Sequence, residues 1–366
     1  MEKRYTRLND VIKNNNLHGI ILTDGYNIHY LTGYKGHTGV VLILEDDRYL
    51  LTDSRYTEQA EIEAPEFKVI DIALDGYSKT IRRILNEKHC NNINNVKKLR
   101  YGFEDKSISY SQYKAFRDNL GEIVELVELN DQIDKLRMIK SEEEIQLIAE
   151  AEAIGDKAFE HIINTMEVGM TEKEVALELE YAMKSLGADG LSFDTIVASG
   201  KNSSMPHAVP TDKVIEDGDF VTMDFGCIYK GYCSDMTRTV YMGDEMTEKQ
   251  LEVYTVVLNA QKEALKCIKP GMICSDIDKI ARDYIAAAGY GEYFGHGLGH
   301  GVGLYIHEEP RFSRNCDVVL EPGMVLSVEP GIYLPGEFGV RIEDLIVVTE
   351  DGYENLASSP KVLILM

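Results

Sequence analysis

The stretch Phe220-Val-Thr-Met-Asp-Phe-Gly-Cys-Ile-Tyr-Lys-Gly-Tyr-Cys-Ser-Asp-Met-Thr-Arg-Thr-Val240 reads as apolar strand segments around a turn. It carries two aspartates, Asp224 and Asp235, where packing alone asks for apolar side chains. Gly226 and Tyr229-Lys-Gly-Tyr232 can turn the chain, so the two acids are expected to face each other across a hairpin. The same arrangement returns further on. Val325-Leu-Ser-Val-Glu-Pro330 holds Glu329, and Val340-Arg-Ile-Glu-Asp-Leu-Ile346 holds Glu343, with Pro330-Gly331 and Pro335-Gly336 marking the turns. A single acid of this kind is an ordinary strand-end or Arg-paired carboxylate. Four of them are costly to bury unless something positive is shared among them, which points to cation binding.

Between the two pairs runs Phe294-Gly-His-Gly-Leu-Gly-His-Gly-Val-Gly-Leu-Tyr-Ile-His-Glu-Glu-Pro310. His296 and His300 stand four apart, as in the helical zinc motif HExxH, but Gly297 and Gly299 disfavour a helix and no Glu follows the first His. No Lys-Ser/Thr follows the glycines, which argues against a phosphate loop, and nothing matches a dinucleotide fingerprint. The glycines fit close backbone approach around a crowded site. Four carboxylates bring about four negative charges, which two divalent cations neutralise, and one neutral imidazole completes an oxygen-rich donor set suited to Mn²⁺, Co²⁺, Fe²⁺ or Zn²⁺. A cation pair of this type lowers the pKa of a water to roughly 7.

Working outward, the region after residue 130 shows one pattern twice: two helices, then strands. Capping boxes at Ser141-Glu-Glu-Glu144 and Thr171-Glu-Lys-Glu174 open the first two helices, with apolar faces Leu147/Ala151/Ile154/Ala158/Ile162/Met166 and Val175/Leu179/Ala182/Leu186. Strands follow at Phe193–Ala198 and Asp219–Thr239. A third box, Thr247-Glu-Lys-Gln250, opens a helix with Leu251, Tyr254, Leu258 and Leu265 on its face. A fourth helix is expected near Ser275–Ala288, before strands at Met324–Tyr333 and Val340–Thr349. This predicts an internally duplicated α+β domain over 131–366. Residues 1–130 alternate strand signals (Gly19–Thr23, Val40–Leu44, Tyr49–Thr52, Phe67–Ile72) with helical ones near 3–15, 54–64, 76–88 and 110–119. That is a small α/β domain with a mixed sheet, joined through a linker at Val127–Ile139.

The chain of 366 residues carries 38 basic and 62 acidic side chains, a net charge of −24. Residues 1–130 hold 18 Lys/Arg and 20 Asp/Glu, a net of −2, so −22 belongs to the remainder. Such a surface repels nucleic acid and anionic membranes. No apolar run reaches the roughly 18 residues of a membrane span. Six cysteines form neither a disulfide lattice nor a CxxC pattern, and read as reduced thiols in a cytoplasmic protein. His18, His29, His37, His89 and His161 read as structural.

The acids and histidines, in their order, resemble the pita-bread metallohydrolases: aminopeptidase P, prolidase, methionine aminopeptidase and creatinase. The resemblance covers nearly the whole chain. It implies that Asp224 is the terminal ligand of one metal and His300 and Glu329 those of the other, with Asp235 and Glu343 bridging. Glu329 matches the acid assigned the general-base role. His207, in Ser204-Met-Pro-His-Ala-Val-Pro210, and His307 match the histidines that contact the substrate and steady the tetrahedral intermediate. His296 and Arg341 match substrate-pocket positions. Tyr30-Leu-Thr-Gly33 and Thr52-Asp-Ser-Arg-Tyr56 resemble the N-terminal domain shared by aminopeptidase P, prolidase and creatinase. Creatinase lacks the metal-ligand set. What the resemblance implies is therefore hydrolysis of Xaa-Pro bonds at peptide N-termini, with two divalent ions per chain, Mn²⁺ foremost, in a homodimer. The alternative is a prolidase restricted to dipeptides; more remote is a non-catalytic binding protein of the same fold.

Overall fold

A computed structural model of the protein describes residues 2–89 and 98–366; Cys90, counted above among the reduced thiols, lies outside them. The other five cysteines are free thiols. The chain divides into two compact units, Met1–Arg137 and Met138–Met366.

In the first unit the elements run α1 (Glu2–Asn14), β1 (Gly19–Leu22), α2 (Gly25–Thr32), β2 (Val40–Leu44), β3 (Arg48–Thr52), α3 (Thr57–Glu63), β4 (Lys68–Asp71), α4 (Gly76–His89), β5 (Leu99–Phe103), α5 (Tyr110–Leu120) and β6 (Val124–Glu128). They build one six-stranded sheet in the order β4-β3-β2-β1-β5-β6. β2 pairs antiparallel with β1 and β3, while the β3/β4, β1/β5 and β5/β6 ladders are parallel, so the sheet is mixed as expected. The region read as a linker begins inside this sheet: Val127 and Glu128 pair with Gly102 and Phe103, and a 3₁₀ turn, Asp134–Arg137, follows. β5, β6 and the short α2 had no sequence signal strong enough to predict them. Inside the unit, Glu104 is buried against the start of α2 and accepts hydrogen bonds from the backbone N–H of Asp24 (2.8 Å) and from Asn27 (2.7 Å).

The second unit begins with two long helices, α6 (Glu142–Thr165) and α7 (Glu172–Ser185), each opened by the expected capping box. The strands β7 (Gly190–Leu191), β8 (Ile196–Ser199), β9 (Phe220–Phe225), β10 (Cys227–Tyr229), β11 (Tyr232–Cys233) and β12 (Met236–Tyr241) follow. Next come α8 (Glu248–Cys267), again with its box, and α9 (Cys274–Ala287). The chain closes with β13 (Gly299–Gly301), β14 (Glu308–Phe312), β15 (Val325–Val328), β16 (Gly331–Leu334), β17 (Phe338–Arg341), β18 (Asp344–Val348) and β19 (Tyr353–Asn355).

Two apolar cores run through this unit, and Phe220 and Tyr241 of the first half pack into the second. One joins α6 and α7 to β8, β9 and β12 through Ala151, Phe159, Val175, Leu179, Val197, Met223 and Met236. The other joins α8 and α9 to β15 and β18 through Val257, Ala260, Ile277, Ala281, Leu326 and Ile346. The halves repeat one connection. β9 and β12 pair antiparallel, with the short β10–β11 hairpin between them; β15 and β18 pair antiparallel, with the β16–β17 hairpin between them. The Lys230-Gly231 turn has φ of 49° and 92°, the left-handed pair a two-residue hairpin requires. Two residues assigned to buried faces lie outside them: Leu186 caps α7 and is 43% exposed, and Leu251, in the first turn of α8, is 53% exposed. Val253 takes the buried position on α8, and on α6 Ile148 is buried where Leu147 is only partly so. No helix among the described residues is long and apolar enough to cross a membrane.

Candidate active site

The repeated connection decides where the acids go. Asp224 lies near the end of β9 and Asp235 immediately before β12, while Glu329 follows β15 and Glu343 immediately precedes β18. Each half thus sends one carboxylate from the exit of a strand and one from the entry of the returning strand. His300 sits on β13, whose Gly299 lies so close to β15 that an added Cβ would fall 1.9 Å from the Ser327 carbonyl oxygen. Gly301 is equally confined, 2.4 Å from the Glu309 carbonyl oxygen. The close backbone approach expected of the glycine run is present at these two positions and at Gly297, where an added Cβ would fall 2.8 Å from the Phe312 carbonyl oxygen; Gly295 has open space.

The nine residues singled out from the sequence, Asp224, Asp235, His207, His296, His300, His307, Glu329, Arg341 and Glu343, all line one cavity of about 660 Å³. At its floor, ligand atoms of Asp235, His300 and Glu343 lie within 4.8 Å of one another. His300 Nε2 is 3.4 Å from Asp235 Oδ2 and 3.5 Å from Glu329 Oε1. His300 Nδ1 lies 3.1 Å from the Gly301 carbonyl, which can only accept, so this nitrogen holds the proton and Nε2 faces the acids as a lone pair. Burial, then His307, holds the imidazole down at about 3, hence neutral.

The carboxylates are crowded. Burial followed by Glu343 and Asp224 drives Asp235 well above the ordinary range; burial followed by Glu329 and Asp224 does the same to Glu343. Burial pushes Glu329 up to about 8. Partners are few: Ser327 Oγ donates to Glu329 Oε1 (3.2 Å) and Thr237 Oγ1 to Glu343 Oε2 (2.7 Å). Asp224 Oδ1 and Glu343 Oε1 are buried and have no hydrogen-bond partner. Unsatisfied buried carboxylate oxygens are rare, and here they sit among acids that suppress one another's ionisation. A neutral imidazole lone pair beside them completes a donor set that fits hard or borderline divalent cations.

Arg341 is 3% exposed and its fork is already engaged. Nη2 donates to Asp224 Oδ2 (2.5 Å), Nη1 to Tyr333 Oη (2.9 Å) and the Pro206 carbonyl (3.1 Å), and Nε to Thr237 Oγ1 (3.0 Å). Tyr333 Oη also meets His296 Nε2 at 2.9 Å. His207 and His307 stand at the exposed side of the cavity, the latter edge-on to His300 with ring centroids 4.6 Å apart. Burial and Arg311 lower the His307 pKa. Sequence reasoning missed Arg311, Tyr305, Phe193 and Ile196 on the cavity wall, and Tyr333 and Thr237 behind it. Arg311 follows His307 by four residues, the one signal that could have found it. Of the remaining histidines, His161 pairs with Glu178 (2.6 Å) and burial holds His29 down at about 4; the side chain of His89 lies outside the described residues.

Residues 146–350 match the model of metallopeptidase family M24. The chain belongs to that family. Residues 4–139 match the creatinase/prolidase N-terminal domain. This M24 metallopeptidase is 40% identical to the Xaa-Pro dipeptidase of Pyrococcus furiosus, with full coverage of both chains. Its structure is similar to that of the Xaa-Pro dipeptidase from Bacillus anthracis (TM-score 0.92, 43% identity, 100% and 99% of the two chains). It is also similar to an X-Pro aminopeptidase from Thermotoga maritima (TM-score 0.87, 38% identity, 96% and 98%). The protein is thus an enzyme, a peptidase of the pita-bread fold whose chemistry uses divalent metal ions.

Proposed function

We propose that this metallopeptidase hydrolyses Xaa-Pro bonds, with Xaa-Pro dipeptides as its first substrates. The observation that carries the reading is the convergence of four carboxylates, three of them driven above the ordinary range, and one imidazole lone pair in a single cavity. The ligand set proposed is Asp224, Asp235, His300, Glu329 and Glu343. When bound, a pair of divalent cations supplies an acidified water and polarises the scissile carbonyl. Mn²⁺ is the first cation to test, with Co²⁺, Zn²⁺ and Fe²⁺ as alternatives.

The chain's own residues do the rest. Glu329 accepts the proton given up by the attacking water and passes it towards the departing proline nitrogen. His207 and His307 present ring N–H donors to the oxyanion from the exposed side of the cavity. Arg341 holds Asp224 and, through Tyr333, fixes His296. The bond before proline has no N–H, so enzymes that bind substrate as an added strand handle it badly; a site that engages the carbonyl does not depend on that group.

Cleavage of longer peptides at an N-terminal Xaa-Pro bond was the sequence-based preference, and an aminopeptidase stands among the relatives named above. The dipeptide reading is supported at least as well by the relatives, and one observation favours it. With Arg341 committed to Asp224, Arg311 is the other guanidinium on the cavity wall. It donates through Nη2 to the His307 carbonyl (3.0 Å) and approaches Glu309 only to 3.8 Å, which leaves donors for the proline carboxylate of a dipeptide. The test compares Xaa-Pro with Xaa-Pro-Yaa substrates in wild type and Arg311→Met. We expect the dipeptide KM to rise roughly 10- to 100-fold, the worth of one charge-assisted pair, with the tripeptide unaffected. Equal loss on both substrates sinks the carboxylate role. Preferred cleavage of tripeptides restores the aminopeptidase reading. Homodimer assembly and a cytoplasmic location belong to the same proposal.

A further inference from the structure

Asp278 and Arg282 stand one turn apart on α9, outside the cavity, and neither is among the residues assigned above. They form a forked pair: Arg282 Nε to Asp278 Oδ2 at 2.9 Å and Nη2 to Oδ1 at 2.7 Å, with Asp278 1% exposed. What distinguishes this pair from an ordinary helix-face salt bridge is where its remaining valences go. Arg282 Nη1 donates to the Phe294 carbonyl (2.9 Å) and Nη2 to the His296 carbonyl (2.8 Å). The guanidinium also lies 4.3 Å from the centroid of the Phe294 ring. Asp278 Oδ1 accepts the backbone N–H of Leu298 (3.0 Å). Three alternate backbone groups of the glycine-rich run are therefore gripped from one helix.

That grip is passed on in two directions. The Leu298 carbonyl accepts the backbone N–H of Glu329 at 2.7 Å. Two residues after Leu298 comes His300, whose N–H donates to Ser327 Oγ (3.2 Å), and the same hydroxyl donates to Glu329 Oε1 (3.2 Å). A segment with glycine at 295, 297, 299, 301 and 303 has little conformational preference of its own, so its geometry must be imposed from outside. We infer that Asp278 and Arg282 are positioning residues that set the backbone of Phe294–Leu298 and thereby hold His300 and Glu329 at the spacing one of the two cations requires. The inference rests on the ligand set proposed above.

The test is titration of the metal-free protein with Co²⁺, read by calorimetry and visible absorption, for wild type, Asp278→Ala and Arg282→Lys. The lysine keeps the charge but cannot span Asp278 and two carbonyls as the planar fork does. Outer-shell partners of ligands are worth 10- to 100-fold in metal affinity. We expect one of two Co²⁺ equivalents to weaken by about that factor in both variants while the other keeps its wild-type affinity. The Tm of the metal-free Arg282→Lys protein is expected to match wild type. Unchanged affinity for both equivalents overturns the inference. So does equal weakening of both with a fall in metal-free Tm, which marks a purely structural pair. Should Asp278→Ala not fold, Arg282→Lys decides alone. A wild-type protein that binds no Co²⁺ instead defeats the ligand set itself.

Discussion

Lys140 and Glu308 form a salt bridge of 3.0 Å with side-chain exposures of 2% and 3%, tying the chain just before α6 to the residue that follows His307. Lys140 is anchored by its backbone N–H to the Gly323 carbonyl (2.9 Å), and Glu308 Oε1 accepts the Tyr305 N–H (3.2 Å). Lys140→Met keeps most of the stem and deletes the ammonium, one of several groups that hold the buried Glu308 carboxylate. A charge-assisted hydrogen bond is worth roughly 1.5–3 kcal/mol. For a unit of this size each kcal/mol moves Tm by roughly 2–4 °C, so the expected fall is roughly 3–12 °C. Guanidinium and thermal unfolding of Lys140→Met, Glu308→Leu and the double close the cycle, and the coupling between the two sites should be of the size lost in Lys140→Met. A loss below about 1 kcal/mol for Lys140→Met, the range of an exposed pair, would refute the argument. So would two sites whose losses add without coupling. Because Glu308 follows His307 directly, kcat for an Xaa-Pro dipeptide should fall with Lys140→Met.

Glu329→Gln should lower kcat by roughly 10²–10⁴, the usual worth of a general base, with the far-UV spectrum retained; wild-type turnover excludes the assigned role. Gly299→Ala places a methyl group 1.9 Å from the Ser327 carbonyl oxygen and must part β13 from β15; we expect a loss of roughly 1–3 kcal/mol in chemical unfolding together with weaker metal binding. In the metal-free protein Glu329 titrates in the folded state at about 8, against roughly 4.3 unfolded, so the folded state binds more protons across that window. Its contribution is fully present below the unfolded value and lost as pH rises through the folded one. Metal-free Tm should therefore fall between roughly pH 4 and 8, and loading with Mn²⁺ should release protons, measured by calorimetry in buffers of different ionisation enthalpy. A flat metal-free profile contradicts the crowding. Exhaustive chelation should abolish Xaa-Pro hydrolysis and Mn²⁺ or Co²⁺ restore it; full activity after stripping rules out the metal reading.

The elements legible in the sequence were those with local chemistry of their own. Ser141/Glu144, Thr171/Glu174 and Thr247/Gln250 announce helix starts because the box is made within four consecutive residues, and all three form. The acids of β9, β15 and their return strands were visible because a carboxylate in an apolar run is anomalous wherever it lies. What escaped depends on distant partners. β5, Leu-Arg-Tyr-Gly-Phe, has no clean alternation, and only its ladders to β1 and β6 make it a strand. Leu251 follows the helical period but falls on the first, exposed turn of α8. Tyr333 and Thr237 matter through contacts across the fold that no spacing encodes. Arg341 was legible only as a match to a substrate-pocket position; a fork shared among Asp224, Tyr333, Pro206 and Thr237 is visible only in three dimensions.

The repeated strand–hairpin–strand connection has a mechanical consequence. Asp224 and Asp235 hang from the half built on α6 and α7, whereas His300, Glu329 and Glu343 hang from the half built on α8 and α9. On the proposed ligand set, a cation held by both groups is a rivet across two halves that Phe220, Tyr241 and the Arg238–Asp344 pair also join. Pulled apart from their ends, the loaded halves should yield together at one rupture force, and the stripped halves at lower force and in succession.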